Sequence, residues 1–163
     1  MTSGTQISST GGSIELSGDA TSSTSSGSSN RGIYIDQTAT VSNTTGQILL
    51  IGKGSPAGTG SCEGIATNDL NTAITTTTGD ITLRGFAGGS GGNSNHGVFV
   101  TNQSQVASQG GNIFFLGDAR TSTSTGASNR GIDVEGVATV SNTSGNITFF
   151  GFGAPTGVIW SHK

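Results

Sequence analysis

The sequence predicts an all-β fold, a right-handed single-stranded parallel β-helix (solenoid) of about five turns of roughly 33 residues, with three strands per turn. Three observations carry this prediction. Short glycine-bounded apolar motifs recur at one period, their aliphatic residues fall into near-identical columns when the turns are stacked, and the composition fits neither a helical nor a disordered chain. Ser and Thr supply 24 and 25 of the 163 residues and Gly another 29, while 9% carry charge, against roughly 25% in an ordinary soluble domain. The evenly placed Ile, Val, Leu and Phe separate it from Gly/Ser-rich disorder.

The first element of each turn is Gly-polar-Ile-x-apolar-x-Gly. It begins at Gly12, Gly46, Gly79, Gly111 and Gly145, at spacings of 34, 33, 32 and 34. The second, Gly followed by Ile or Val and an apolar residue or Thr two places on, begins at Gly32, Gly64, Gly97 and Gly131. The third sets a small residue two before a branched one: Thr5 and Ile7, Ala39 and Val41, Thr72 and Ile74, Ser104 and Val106, Ala138 and Val140. Each alternates with period two and favours β-branched residues inward, the pattern of a half-buried strand. Parallel stacking then aligns Ile14, Ile48, Ile81, Ile113 and Ile147 in one inward column and Leu16, Leu50, Leu83, Phe115 and Phe149 in the next. Glycines flanking the first strand are expected at sharp corners. Ser13, Gln47, Asp80, Asn112 and Asn146, just inside the first corner, are expected to hydrogen-bond along the stack.

A shift of 99 residues aligns Gly12–Gly58 with Gly111–Gly157 at 26 of 47 positions. Duplication of a three-turn block explains this match. Residues 1–163 are therefore expected to form a single β-helix segment of a longer repeat protein. The polar segments Asp19–Arg31, Lys53–Glu63, Phe86–His96 and Asp118–Arg130 are the natural binding loops. The ending Gly157–Lys163 reads as a partial strand or a frayed end.

A formal net charge of −3 with six basic residues argues against nucleic acid and anionic lipid as partners. No apolar run approaches the roughly 20 residues of a membrane span, so no membrane insertion is expected. Met1-Thr2-Ser3-Gly4 lacks the regions of a secretory signal, so export information is expected elsewhere. The single cysteine, Cys62, excludes an internal disulfide and any multi-cysteine metal site.

No residue is assigned as catalytic, cofactor-binding or metal-ligating, and an enzyme is not expected. Asp19 and Asp118 stand three turns apart, about 14 Å at the strand spacing, beyond the roughly 5–9.5 Å of paired-carboxylate glycoside hydrolysis. Asp36 and Glu135 fail by the same count, and Asp133 with Glu135 share the outer side of one strand. His96 reads as an exposed turn residue, and His162 has no partner at a useful spacing. Cys62 reads as a corner residue in the place of Asn30, Asn95 and Asn129. The run Gly88–Asn93 reads as a flexible loop, since it lacks the aspartate of calcium-binding nonapeptides and the lysine of a phosphate loop. Asn43, Asn102, Asn142 and Asn146 open chance glycosylation patterns. Tyr34, Phe99 and Phe114 are outward aromatic residues of a kind that stacks against sugar rings, and packing beneath the long loops is their expected use. The outward residues of the first strand, Glu15, Leu49, Thr82, Phe114 and Thr148, make no threonine ladder, which argues against ice binding.

Runs such as Thr78-Gly79-Asp80-Ile81-Thr82-Leu83-Arg84-Gly85, Asn129-Arg130-Gly131-Ile132-Asp133-Val134 and Thr143-Ser144-Gly145-Asn146-Ile147-Thr148-Phe149 resemble the repeats of filamentous haemagglutinin-like and autotransporter-type bacterial surface adhesins. The resemblance implies a right-handed parallel β-helix exported to the bacterial surface or medium, outer membrane-associated, and used as a stalk or adhesive shaft. Its partner would be a glycan or protein on a host or neighbouring cell. Right-handedness also follows from the crossover preference of parallel strands. Two alternatives remain. One is a polysaccharide-binding or polysaccharide-processing coil, which acidic residues brought within one turn of each other would favour. The other is a filament subunit stacking end to end, which a mass measurement in dilute solution separates from the rest.

Overall fold

The structure, a computed structural model, describes residues 1–155. The ending Gly157–Lys163, with Trp160 and His162, lies outside the described residues. Four turns each contribute three strands. The first holds β1 (Gln6–Ser9), β2 (Ile14–Asp19) and β3 (Ile33–Ile35), the second β4 (Thr40–Asn43), β5 (Ile48–Lys53) and β6 (Ile65–Thr67). The third holds β7 (Ala73–Thr76), β8 (Ile81–Phe86) and β9 (Val98–Val100), the fourth β10 (Gln105–Ser108), β11 (Ile113–Asp118) and β12 (Ile132–Val134). After them come β13 (Thr139–Asn142) and β14 (Ile147–Phe152), and no helix occurs among the described residues.

Three parallel sheets form the walls. The first runs β1-β4-β7-β10-β13, the second β2-β5-β8-β11-β14 and the third β3-β6-β9-β12. Every strand pairs in parallel with its counterpart one turn away, so the chain is a β-solenoid of about four turns of roughly 33 residues. The expected five turns is corrected to about four. Each first-strand motif was counted as a full turn, but a turn closes only on reaching the third sheet, which has four strands.

The register places Ile14, Ile48, Ile81, Ile113 and Ile147 in one ladder column, and Leu16, Leu50, Leu83, Phe115 and Phe149 in another. Val41, Ile74 and Val106 from the first sheet, and Ile33, Ile65 and Val98 from the third, complete one continuous core. Burial falls off in the last strand. Phe149 is 47% exposed and Ile147, Phe150 and Phe152 are also exposed, because β14 has a neighbour on one side only among the described residues.

The corners differ in part from the expectation. In the left-handed backbone region stand Gln37, Thr38, Asp69, Asn71, Asn102, Gln103 and Val137, all between the third sheet and the first. Of the glycines flanking the first strand, Gly46, Gly79, Gly111 and Gly145 do stand at the expected corner, between the first and second sheets, where a Cβ would meet the carbonyl oxygen one turn back at 1.9–2.4 Å. Those at the other end lie within the strand and have another task. A Cβ on Gly18, Gly52, Gly85 or Gly117 would meet the carbonyl oxygen of Gly32, Gly64, Gly97 or Gly131 at 1.9–2.0 Å. These pairs let two stretches of backbone touch, so each long loop leaves and returns through a neck of two glycines.

Between the first and second sheets, side chains cap the corner. Asn43 Nδ2 donates to the Gly12 carbonyl at 2.6 Å while its Oδ1 accepts from the Gly46 amide at 3.1 Å, and Asn142 repeats both bonds with Gly111 and Gly145. Thr76 and Ser108 fill the same column. The expected polar stack is present in part: the Asn112 amide donates to Asp80 Oδ1 at 2.7 Å and the Asn146 amide to Asn112 Oδ1 at 3.0 Å.

Candidate functional site

The long polar loops do not hang free. Beyond the glycine necks they stack on each other as the strands do, with the amides of Gly89, Ser90 and Thr123 donating to the carbonyls of Ser55, Gly58 and Gly89. The run Gly88–Asn93, expected to be flexible, is thus tied into the stack, and a Cβ on Gly92 would strike the Thr59 carbonyl. Inside this lobe runs a buried column of small and polar groups. Asn95 Oδ1 accepts from the Cys62 amide at 3.1 Å, and Asn129 Oδ1 accepts from both Asn95 N and Nδ2. Cys62, expected as a corner residue, is a free and buried cysteine in this column.

Where the lobe rejoins the third sheet, its last residues pack on the outer face of that sheet. Arg31 Nε lies 2.6 Å from Glu63 Oε2, and the Arg31 guanidinium also stands 4.3 Å over the Tyr34 ring. One turn further, the His96 ring lies 4.8 Å from Phe99. Its Nδ1 accepts from the Arg130 amide at 3.4 Å, and its Nε2 stands 3.7 Å from Asp133 Oδ2. His96 is 1% exposed, which corrects its reading as an exposed turn residue: the stacked lobe covers it. Burial pushes the Glu63 carboxyl up despite the opposing Arg31 charge. Burial also lowers His96 to about 4, with Asp133 acting against the shift and Arg130 with it.

This arrangement predicts a pH dependence of stability. An unfolded histidine titrates near about 6.5, the folded one near about 4. Between those values the unfolded chain binds a proton the folded chain refuses. Stability from this group is therefore complete above about pH 6.5 and lost as pH falls toward 4, by of order 3 kcal/mol. Urea midpoints across that range measure the loss, and His96→Gln flattens the difference that remains after carboxylate titration.

The same face carries a polar cluster at the adjoining corner. Asn68 Nδ2 donates at 3.0 Å to both Asp36 Oδ1 and Asp69 Oδ1, so the two carboxyl groups lie within twice that distance of each other. Asn102 Nδ2 in turn donates to Asn68 Oδ1 at 2.7 Å. Burial raises Asp36, but hydrogen bonds from Tyr34, Asn68, Asp69 and the Gln37 amide outweigh it and hold the carboxyl below its ordinary value. Asp69 is raised above its ordinary value, chiefly by its interaction with the neighbouring Asp36 carboxyl. The sequence reading missed this pair because it compared acidic residues three turns apart. A search one period apart finds Asp36 and Asp69.

Tyr34, Ala66, Phe99 and Asp133 occupy one register column on this face. With Ala66 between the two aromatic residues, a cleft of about 100 Å³ opens, lined by Arg31, Tyr34, Ala66, Asn68, Phe99 and Thr101.

The other candidates fall as follows. Asp19 and Asp118 are three rungs apart in the second sheet, and each pairs locally, Asp19 with Lys53 at 3.0 Å and Asp118 with Arg120 at 2.7 Å. Hydrogen bonds from Thr21 and Lys53 hold Asp19 at about 2. Asp36 and Glu135 are likewise three rungs apart, at the two ends of the third sheet's edge. Phe114 packs on Phe150 with ring centres 5.7 Å apart. A hydroxyl-rich trough without charged residues does exist, lined by Ser8, Thr10, Ser42, Thr44, Thr75 and Thr77 among others. It lies along the first sheet, not on the strand where the threonine ladder was sought. Among the described residues no group of three or more His, Cys, Asp or Glu is placed to hold a metal, and no helix is long and apolar enough to cross a membrane.

Comparison with protein-family models, with curated proteins and with solved structures finds no match.

Proposed function

We propose that this chain is a structural and adhesive segment of an exported bacterial surface protein, a right-handed solenoid shaft that carries contact surfaces along its side. The observation that carries the reading is the constant register: every turn repeats the same pairing, and the long loops stack into one continuous lobe along one edge. A solenoid of this kind resists bending and pulling through inter-turn hydrogen bonds and the aliphatic ladder, since each turn is held by its neighbours. The likeness of its repeats to filamentous haemagglutinin-like adhesins supports the surface location. Polysaccharide processing is the second reading, favoured by the Asp36 and Asp69 carboxyl pair on adjacent turns.

Antibodies raised against the chain test the first reading. They are expected to label intact source cells or to find the protein in the medium. Detection solely in the cytosol overturns it.

A further inference from the structure

We propose that the groove at the β12 and β14 end of the solenoid is the seat of the chain's own segment Gly157–Lys163, which adds a fifth strand to the third sheet and lays the single tryptophan, Trp160, against the exposed apolar residues there.

The three sheets are unequal. The first and second have five strands each and the third has four, so the next place in the third sheet lies on β12. A groove of about 540 Å³ borders that place, lined by Arg130, Gly131, Ile132, Val134, Phe149 and Gly153 among others. Val134 is 39% exposed and Phe149 47%, which makes its walls apolar and open.

The chain arrives at this groove after β14. The Ala154 amide donates to the Asn129 carbonyl at 3.0 Å, which puts the chain on the rim. Gly157-Val158-Ile159-Trp160 then repeats the second motif of each turn, a glycine, a branched residue and an apolar residue two places on, as in Gly131-Ile132-Asp133-Val134. One turn back, the Gly97 and Val98 amides donate to the Arg130 and Gly131 carbonyls. The same step carries the Gly131 and Ile132 amides to the carbonyls of Thr156 and Gly157. Period-two alternation sets Val158 and Trp160 inward over Ile132 and Val134, and Ile159 outward over Asp133.

The connection is short but sufficient. Five residues separate Gly151 from Gly157, where the other turns place 11 to 13 between the equivalent glycines. Those glycines touch at the neck, since a Cβ on Gly117 would lie 1.9 Å from the Gly131 carbonyl oxygen. A turn containing Pro155 spans such a neck without a lobe.

Two arguments select this occupant over a second copy. Arg130, the cation at the rim, is already paired with Asp133, so the groove offers apolar contact, which Val158 and Trp160 supply. A segment tethered beside the groove also acts at an effective concentration on the order of millimolar, far above that of another molecule in dilute solution. Once seated, it covers the strand edge of β12 that end-to-end stacking would use.

Trp160, the one tryptophan, reports on the seat. The test is indole fluorescence and acrylamide quenching of the full chain at low and high micromolar concentration. Emission is expected to the blue of the urea-unfolded chain, with quenching at least about fivefold weaker, as for a buried indole, and both independent of concentration. Val158→Asp sets a charge against Ile132 and is expected to return both readings to those of the unfolded chain. Ile159→Asp, on the outward side, is expected to leave quenching within about twofold of the parent. Three results overturn the proposal. Trp160 of the parent is quenched as in urea, it is protected only at high concentration alongside a sedimenting dimer, or Ile159→Asp exposes it as fully as Val158→Asp. The first two need no variant, so they decide the matter even where a substitution disturbs folding.

Discussion

Leu83→Ala lowers the stability of the solenoid by about 4 kcal/mol. Leu83 is fully buried at 0% exposure, in a column with Leu50 on one side and Phe115 on the other. Removing its isobutyl group loses the transfer energy of the buried carbons, and the void left behind adds to that loss. The surroundings have little freedom to collapse into the void. The backbone of β8 is hydrogen-bonded to β5 above and β11 below along its full six residues, so it cannot move inward without breaking two ladders. Position in the stack sets the size of the effect. Leu16, in the same column, is only partly buried, because β2 lies at the edge of its sheet. Leu16→Ala is therefore expected to cost about 1–2 kcal/mol. Urea unfolding of the two variants measures the contrast. A larger midpoint shift for Leu83→Ala, with the slope of the transition unchanged, is the expected result. Equal shifts would mean that the column is not one graded core.

The contrast between these two leucines also shows what the sequence could and could not reveal. The inward columns are a matter of period-two alternation repeated at a fixed interval, and both features are visible in a single chain. Ile48 therefore sits over Ile81, and Leu50 over Leu83, as the spacing implies. The lobe is different. Its order comes from single long-range bonds, such as Asn95 to Asn129 and Ser90 to Gly58, between residues with no alternation to betray them. A loop read by composition alone is polar and looks solvated, and this is why His96 was placed at the surface. The carboxyl pair was legible in principle, since Asp36 and Asp69 stand one period apart. The longer repeat masks it, because a shift of 99 residues relates Asp36 to Glu135 and Asp19 to Asp118 instead. The hydroxyl-rich trough was hidden by the choice of strand, as its residues belong to the third motif and its following turn.

Glycine is the residue whose role the sequence indicated only in part, and it yields the second large effect. Gly85→Ala is expected to destabilise the fold by at least about 3 kcal/mol. Its φ is not in the left-handed region, so the cost does not come from backbone preference. It comes from contact: an added Cβ would lie 1.9 Å from the Gly97 carbonyl oxygen, 2.5 Å from its carbon and 2.8 Å from Val98 Cγ2. Two of the three atoms are backbone, which has no rotamer to turn aside. Nor can Gly97 retreat cheaply. Its amide donates to the Arg130 carbonyl at 3.1 Å and its carbonyl accepts from the Ile65 amide at 3.0 Å, so shifting it strains the third sheet in both directions. The neck of the lobe would open, and the cover over His96 with it. Gly91→Ala is the matched control, in the same loop but with its nearest contact at 4.0 Å, and is expected to be near neutral. Thermal melts rank the two, and hydrogen exchange locates the damage: faster exchange at Gly64, Gly97 and Val98 is expected for Gly85→Ala, with the β5 and β8 core amides less affected. If the two variants melt alike, the glycine pairs do not form the neck and the columns of glycine require another cause.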